Sequence, residues 1–389
     1  MKYLRNIMLC YAIAALEAFI PAYVIERLFW EMRGMNVTMV VACEMIFAVV
    51  IIIIEIPTGI LADRFGRKKL IVINGFLSTL ELLILLFADR FFMFALAVFL
   101  TAIGYGCRSG SLNALIYDSL LAADRQASFE KVLGRLNVIT NVSISIAAII
   151  GGFLADFGGL ELNYAVSVVS CLASFLLTFL LVEPPIQRTE DESKSEGANT
   201  YLKDGFRFFK NHRLVFGYCL TGAFLAGCIH YLDEFWQLLT EGIGVPVMLY
   251  GFVLTAYCLV KIPGSLLAHR LKTRLEYGDI FKCMTGFYII GFFAIALTRN
   301  YWCLIPMFIL SMLQGIMDPL LAGCIHHNTE SRIRATVESF LSLGIRVMVT
   351  AVGFLFSIFA NSSIFNGFMV LGILCLAYCA VNTVFVKSW

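Results

Sequence analysis

Twelve apolar runs, each near the length a helix needs to cross a bilayer, leave this chain few ways to fold. They are 6–29, 37–58, 70–88, 91–118, 134–156, 162–182, 214–238, 247–268, 281–298, 302–325, 338–360 and 363–386. A backbone in lipid must satisfy its own hydrogen bonds, so such runs become helices. Composition agrees. Of 389 residues, 60% are hydrophobic and 14% charged, with a mean hydropathy of +0.85; soluble domains carry roughly 25% charged residues. The expected fold class is an all-α polytopic membrane protein with twelve transmembrane helices. The basic start, Met1 to Arg5, leads straight into the first run. No small-residue cleavage site closes that run, so a retained helix is expected rather than a signal peptide.

The composition changes between 183 and 213. Glu183-Pro184-Pro185 stops the sixth run, and Gln187 to Asn199 is polar and mixed in charge. Tyr201 to Phe209 is amphipathic and is expected to lie on the membrane surface. The chain thus reads as a bundle over 1–183, a linker over 184–213 and a second bundle over 214–389. Lys and Arg gather in alternate loops: at 64–69, 125–135, 188–213, 270–274 and 332–334. The intervening loops hold little beyond Arg33, Arg90 and Arg299. Positive charge stays on the cytoplasmic side, which places both termini and the linker there.

The halves echo each other. Ile56-Pro57-Thr58-Gly59-Ile60-Leu61-Ala62-Asp63-Arg64 aligns with Ile262-Pro263-Gly264-Ser265-Leu266-Leu267-Ala268-His269-Arg270, 206 residues later. At the same offset Arg108 meets Gln314. Asn137, Asn141 and Ser145 match Ser342, Arg346 and Thr350 at an offset of 205. Residues four apart share a helix face, so the fifth and eleventh runs each carry one polar stripe.

Pro57 to Lys69 reads P-T-G-I-L-A-D-R-F-G-R-K-K in a turn between two apolar runs. It resembles the G-x-x-A-D-R-x-G-R-K signature of the major facilitator superfamily. With its lead-in and the run Ala114 to Leu120, it looks like the drug-efflux-type members of bacteria. The resemblance implies two pseudo-symmetric six-helix bundles, which the internal repeat independently suggests. It also implies a gate on the cytoplasmic side formed by Gly59, Asp63, Arg64, Gly66, Arg67 and Asp118. Here Arg67 would pair with Asp118, and the glycines would permit close approach and a tight turn. The fourth run carries Gly104-Tyr105-Gly106-Cys107-Arg108-Ser109-Gly110, which has the ingredients of a second family pattern in another order. In the fifth, Gly151-Gly152 lacks the proline that marks many drug antiporters.

Ionisable residues inside spans are costly and face a cavity or a partner. Glu17, Glu44, Glu81, Arg108, His230, Asp233, Glu234 and Arg346 all fall in apolar runs. A carboxylate in a dry cavity can exchange a proton near neutrality. Glu17, Glu44 and Asp233 are therefore the candidates for proton coupling. In the family fold the first, fourth, seventh and tenth helices line the cavity. By that resemblance Arg108, Tyr105, His230, Trp236 and Gln314 become substrate-site candidates, with Arg346 and Asn141 from the polar stripes. Blander readings stand beside these. Glu17 and Arg108 can form a structural pair, Asp233 and Glu234 can be solvated near the outer interface, and Glu81 can be structural. Glu55 and Lys261 can seal helix ends.

No Cys or His spacing among the 12 cysteines and 5 histidines fits a metal site. Neither a nucleophile motif nor a phosphate loop is present. The expectation is no enzyme, no metal and no cofactor. The partners expected are a small-molecule substrate, membrane lipid and protons, but no nucleic acid, in a monomer at the bacterial plasma membrane. Two functions fit: proton-coupled efflux of amphipathic compounds by alternating access, or import or exchange of an anionic metabolite clamped by Arg108 and Arg346.

Overall fold

The computed structural model describes residues 2–125, 128–184, 207–328 and 331–386; side chains at 2, 55–65, 109–110, 130–131, 134, 269, 322, 325–328, 331–339 and 382–386 lie outside the description. Among the described residues every regular element is a helix. In chain order they are α1 (Lys2–Ala18), α2 (Glu26–Met32), α3 (Val37–Phe65), α4 (Arg67–Phe87), α5 (Phe91–Leu121), α6 (Phe129–Gly158) and α7 (Leu160–Thr178). There follow α8 (Arg213–Gly242), α9 (Tyr250–Leu259), α10 (Lys261–Lys272), α11 (Tyr277–Thr298), α12 (Leu304–Asn328), α13 (Ser331–Ala360) and α14 (Ile364–Val386). Twelve stretches among these, from Tyr3–Val24 to Ile364–Val381, are long and apolar enough to cross a membrane. The chain divides into two compact units. Unit 1 is Met1–Thr189 with Pro246–Thr255, and unit 2 is Glu190–Val245 with Ala256–Trp389.

In unit 1 the first crossing is not the continuous helix expected over 6–29. α1 stops at Ala18, a 3-10 turn covers Pro21–Val24, and α2 begins at Glu26. The cause is Pro21, which has no N–H to donate and whose ring excludes a helical predecessor; Ile20 accordingly sits at φ −121°, ψ 87°. Backbone groups freed in a membrane need new partners. Serines on α7 supply them. Ser170 donates to the Leu16 carbonyl (2.8 Å), and the Ala22 N–H donates to Ser167 Oγ (3.0 Å). The glycine pair of α6 has a packing role. A Cβ on Gly151 would lie 2.6 Å from the Pro21 carbonyl oxygen, and one on Gly152 would lie 2.8 Å from that of Met248. Residues 246–255, which include the start of the span expected over 247–268, thereby group with unit 1.

At the signature end of unit 1, the buried Asn6 ties three elements together. Its amide donates to Ser119 Oγ (2.9 Å) and the Val182 carbonyl (2.7 Å), and its carbonyl accepts from the Val182 N–H (3.0 Å). Around it Ile7, Cys10, Ile13, Leu115, Ile116 and Leu136 form an apolar core.

Unit 2 is built on α8, which runs unbroken for 30 residues. Its core is aromatic: Tyr231, Tyr288, Phe292, Phe356 and Phe368 are fully buried. The break in this unit falls at Val260, between α9 and α10, three residues before Pro263. A proline there removes the bond to the carbonyl four residues back. Of the amphipathic stretch expected over 201–209, residues 201–206 lie outside the description; Phe208 is buried against Val215, Cys219 and Cys324, while Arg207 is exposed.

Candidate functional site

Unit 1 holds a polar cluster inside its spans. Glu17, one residue before the end of α1, has a side chain only 12% exposed and faces Arg108 of α5, whose Nε lies 3.0 Å from its carboxylate. Asn74 of α4 donates to the other Glu17 oxygen at 2.7 Å. Ser78, one turn along α4, in turn donates to Asn74 Oδ1 (3.5 Å). An arginine in a bilayer is tolerated when a carboxylate neutralises it, and the amide then fixes the carboxylate's orientation. Beside this cluster opens a cavity of about 150 Å³, lined by Glu17, Arg108 and Asn74 together with Tyr23, Glu81 and Tyr105 among others.

Glu44 sits apart from that cavity. It pairs with Arg27 of α2 at 2.9 Å, and the guanidinium, 5% exposed, also lies 4.7 Å over the Trp30 ring. Sequence reasoning did not single out Arg27, because the break that places it on a separate short helix was not foreseen.

The signature turn is ordered by charge. Gly66 holds φ +95°, a backbone favourable to glycine alone, and ends the turn just before α4. Arg67 pairs with Asp118 of α5 and donates to the Ala114 carbonyl (2.8 Å). The acid expected only to stop the sixth run does more. Glu183 accepts from the backbone N–H groups of Arg67 and Lys68, each at 2.8 Å, capping α4 where its dipole is positive. The side chains of Gly59, Asp63 and Arg64 lie outside the described residues.

Unit 2 carries a second cluster. Asp233 of α8 accepts from Tyr257 (2.6 Å), from Lys261 (3.4 Å) and, on its other oxygen, from Gln314 Nε2 (3.0 Å). Ser311 donates to the Tyr257 carbonyl (2.8 Å), fixing α12 against α9. Asp233 is therefore neither simply solvated nor alone, and Lys261 reaches into the cluster rather than only sealing a helix end. The Gln314 side-chain carbonyl oxygen, the Tyr288 hydroxyl and His230 Nε2 are buried with no hydrogen-bond partner among the described residues. Trp236 is 3% exposed and packs within unit 2.

The polar stripes keep their correspondence. Ser145 donates to the Asn141 carbonyl (2.9 Å), and Thr350 donates to the Arg346 carbonyl (3.0 Å). Asn141 is exposed and Arg346 half-buried. The structure thus brings Glu17, Arg108 and Tyr105 together in unit 1, and Asp233 and Gln314 together in unit 2. Asn74 was missed, although a polar face at 74, 78 and 81 was readable in an apolar run.

Comparison with known proteins follows the same direction. The family model described as Major Facilitator Superfamily matches residues 7–349. The chain is 24% identical over 290 residues to the tetracycline resistance protein, class B, of Escherichia coli, covering 73% of this chain and 69% of that protein. It is 28% identical over 272 residues to the enterobactin exporter EntS of an Escherichia coli strain, covering 65% of this chain and 58% of that one. Among solved structures, a mutant of the nucleoside transporter NupG aligns with a TM-score of 0.77 at 12% identity, over 100% of this chain and 99% of that one. A D-xylose–proton symporter aligns with a TM-score of 0.68 at 13% identity, over 97% of each. Likeness at such low identity concerns the fold.

Proposed function

Because the chain belongs to the major facilitator superfamily, we propose that this membrane transporter is a secondary active exporter of amphipathic organic compounds, exchanging them for protons by alternating access. One observation carries the reading. Unit 1 holds a carboxylate, Glu17, neutralised by Arg108 at 3.0 Å on the edge of a cavity within its spans. A pair so placed responds when a charged solute or a proton enters, since either changes the balance of a site with little water to screen it. Asp233 plays the corresponding part in unit 2, with Lys261, Tyr257 and Gln314 as its partners. Export rather than import is supported by the names of the curated relatives, a tetracycline resistance protein and an enterobactin exporter. Those relatives also support a bacterial inner membrane as the site of action; that the protein works as a monomer is part of the proposal. Arg67 and Asp118 are the gating pair in this proposal.

The reading as importer or exchanger of an anion clamped by Arg108 and Arg346 has less support, since Arg108 already faces Glu17. The test is transport in proteoliposomes under an imposed pH gradient, across a panel of amphipathic cations, neutral compounds and organic anions. Gradient-driven accumulation of cationic or neutral compounds supports the proposal. Accumulation of anions alone, abolished by Arg108→Ala and by Arg346→Ala, replaces it with the clamp.

A further inference from the structure

The cavity of unit 1 is lined by two carboxyl side chains, Glu17 and Glu81, and one cation, Arg108. Glu17 is matched by Arg108. Glu81 of α4 lines the same cavity, is 7% exposed, and has no ion pair among the described residues. The other arginine of this region, Arg27, is committed to Glu44 at 2.9 Å and lies 3.7 Å from Glu26. The groups facing Glu81 from neighbouring elements are Tyr23, Glu26, Thr101, Tyr164 and Cys171, none of them a cation. Two of the cavity walls are aromatic. Tyr23 is 46% and Tyr105 51% exposed, and both line the space that Glu81 enters. A buried carboxylate beside accessible aromatic rings is a receptor for a positive charge, since the acid supplies the counter-charge and the ring faces the quadrupole.

We propose that this cavity binds the cationic head of an organic ammonium compound, with Glu81 as its counter-ion and Tyr23 and Tyr105 as its walls. Glu17 and Arg108 keep their proton-coupling part beside this site and are not its ligands. A proton satisfies the same unmatched charge, so proton and ammonium exclude one another at Glu81, and loading one releases the other into the cavity. This inference rests on the exporter reading and names its substrate class.

The test is equilibrium binding to the full-length protein in lipid nanodiscs, using benzyltrimethylammonium, benzyl alcohol and benzoate as probes. The expected result is saturable binding of the ammonium probe alone, weakening as pH falls. Glu81→Gln should lose at least about tenfold in affinity, or roughly 1.4 kcal/mol, together with the pH dependence. Glu81→Asp should retain both, which separates loss of charge from loss of fold. Tyr105→Leu should weaken binding less, and without altering its response to pH. Unchanged ammonium binding in Glu81→Gln overturns the proposal, as does preferred binding of benzoate. Proteoliposomes separate this site from the transport reading. Binding without gradient-driven movement of the probe would leave the site and remove the exporter. Gradient-driven movement with an unaltered KM in Glu81→Gln would leave the exporter and remove the site.

Discussion

In unit 1 a glutamate on α1 faces an arginine on α5; in unit 2 an aspartate on α8 meets a lysine on α10 and a glutamine on α12. The position on the fourth span of each unit, 108 and 314, keeps its task of meeting the first-span acid. The cation has moved. It stands at 108 in unit 1 and, in unit 2, on the second span at 261. What the repeat preserves is local neutrality, because an unmatched charge among spans is costly wherever it sits. Which residue carries the charge is free to vary. The two clusters also differ in depth. Glu17 is 12% exposed and Asp233 27%, while the two cations are each 32% exposed. Asp233 has two neutral donors besides its cation, whereas Glu17 has one.

That asymmetry orders the expected effects. Arg108→Leu should be the most damaging change, lowering stability by about 3 kcal/mol, because it strands a buried carboxylate. Thermal unfolding in detergent reads it, and adding Glu17→Gln should restore most of the loss, since both members of the pair are then gone. Asn74→Ala removes a hydrogen bond to a charged group and should cost about 2 kcal/mol. Lys261→Met should cost less, about 1 kcal/mol, because Tyr257 and Gln314 still hold Asp233. If Lys261→Met proves as costly as Arg108→Leu, the contrast in depth is wrong. Glu183→Ala should cost about 1 kcal/mol by uncapping α4, seen as faster hydrogen exchange at the Arg67 and Lys68 amides.

The twelve crossings were legible because apolar runs of sufficient length have only one solution in lipid. The Arg67–Asp118 pair was legible through resemblance, as each residue sits in a recognisable run. Other features were hidden for physical reasons. Pro21 and Pro263 coincide with breaks, yet α3 runs unbroken through Pro57. A proline's effect depends on whether neighbours satisfy the freed backbone groups, as Ser167 and Ser170 do at Pro21. Glu183 looked like part of a helix stop because its partners are backbone N–H groups, which carry no sequence signal. Lys261 looked like a helix-end seal because the reach of a lysine across to α8 depends on packing between spans. Glu81 looked structural because the third helix is not among those that line the cavity in the family fold, while its side chain lines the cavity shared with Glu17.

Proton flux most directly tests whether a neutralised acid in unit 1 couples solute movement to protons. Purified protein is reconstituted with a pH-sensitive dye inside the liposomes, and a transported amphipathic compound is added outside. The account predicts a compound-dependent pH change that disappears in Glu17→Gln while the variant remains folded. An undiminished pH change in that variant would contradict it.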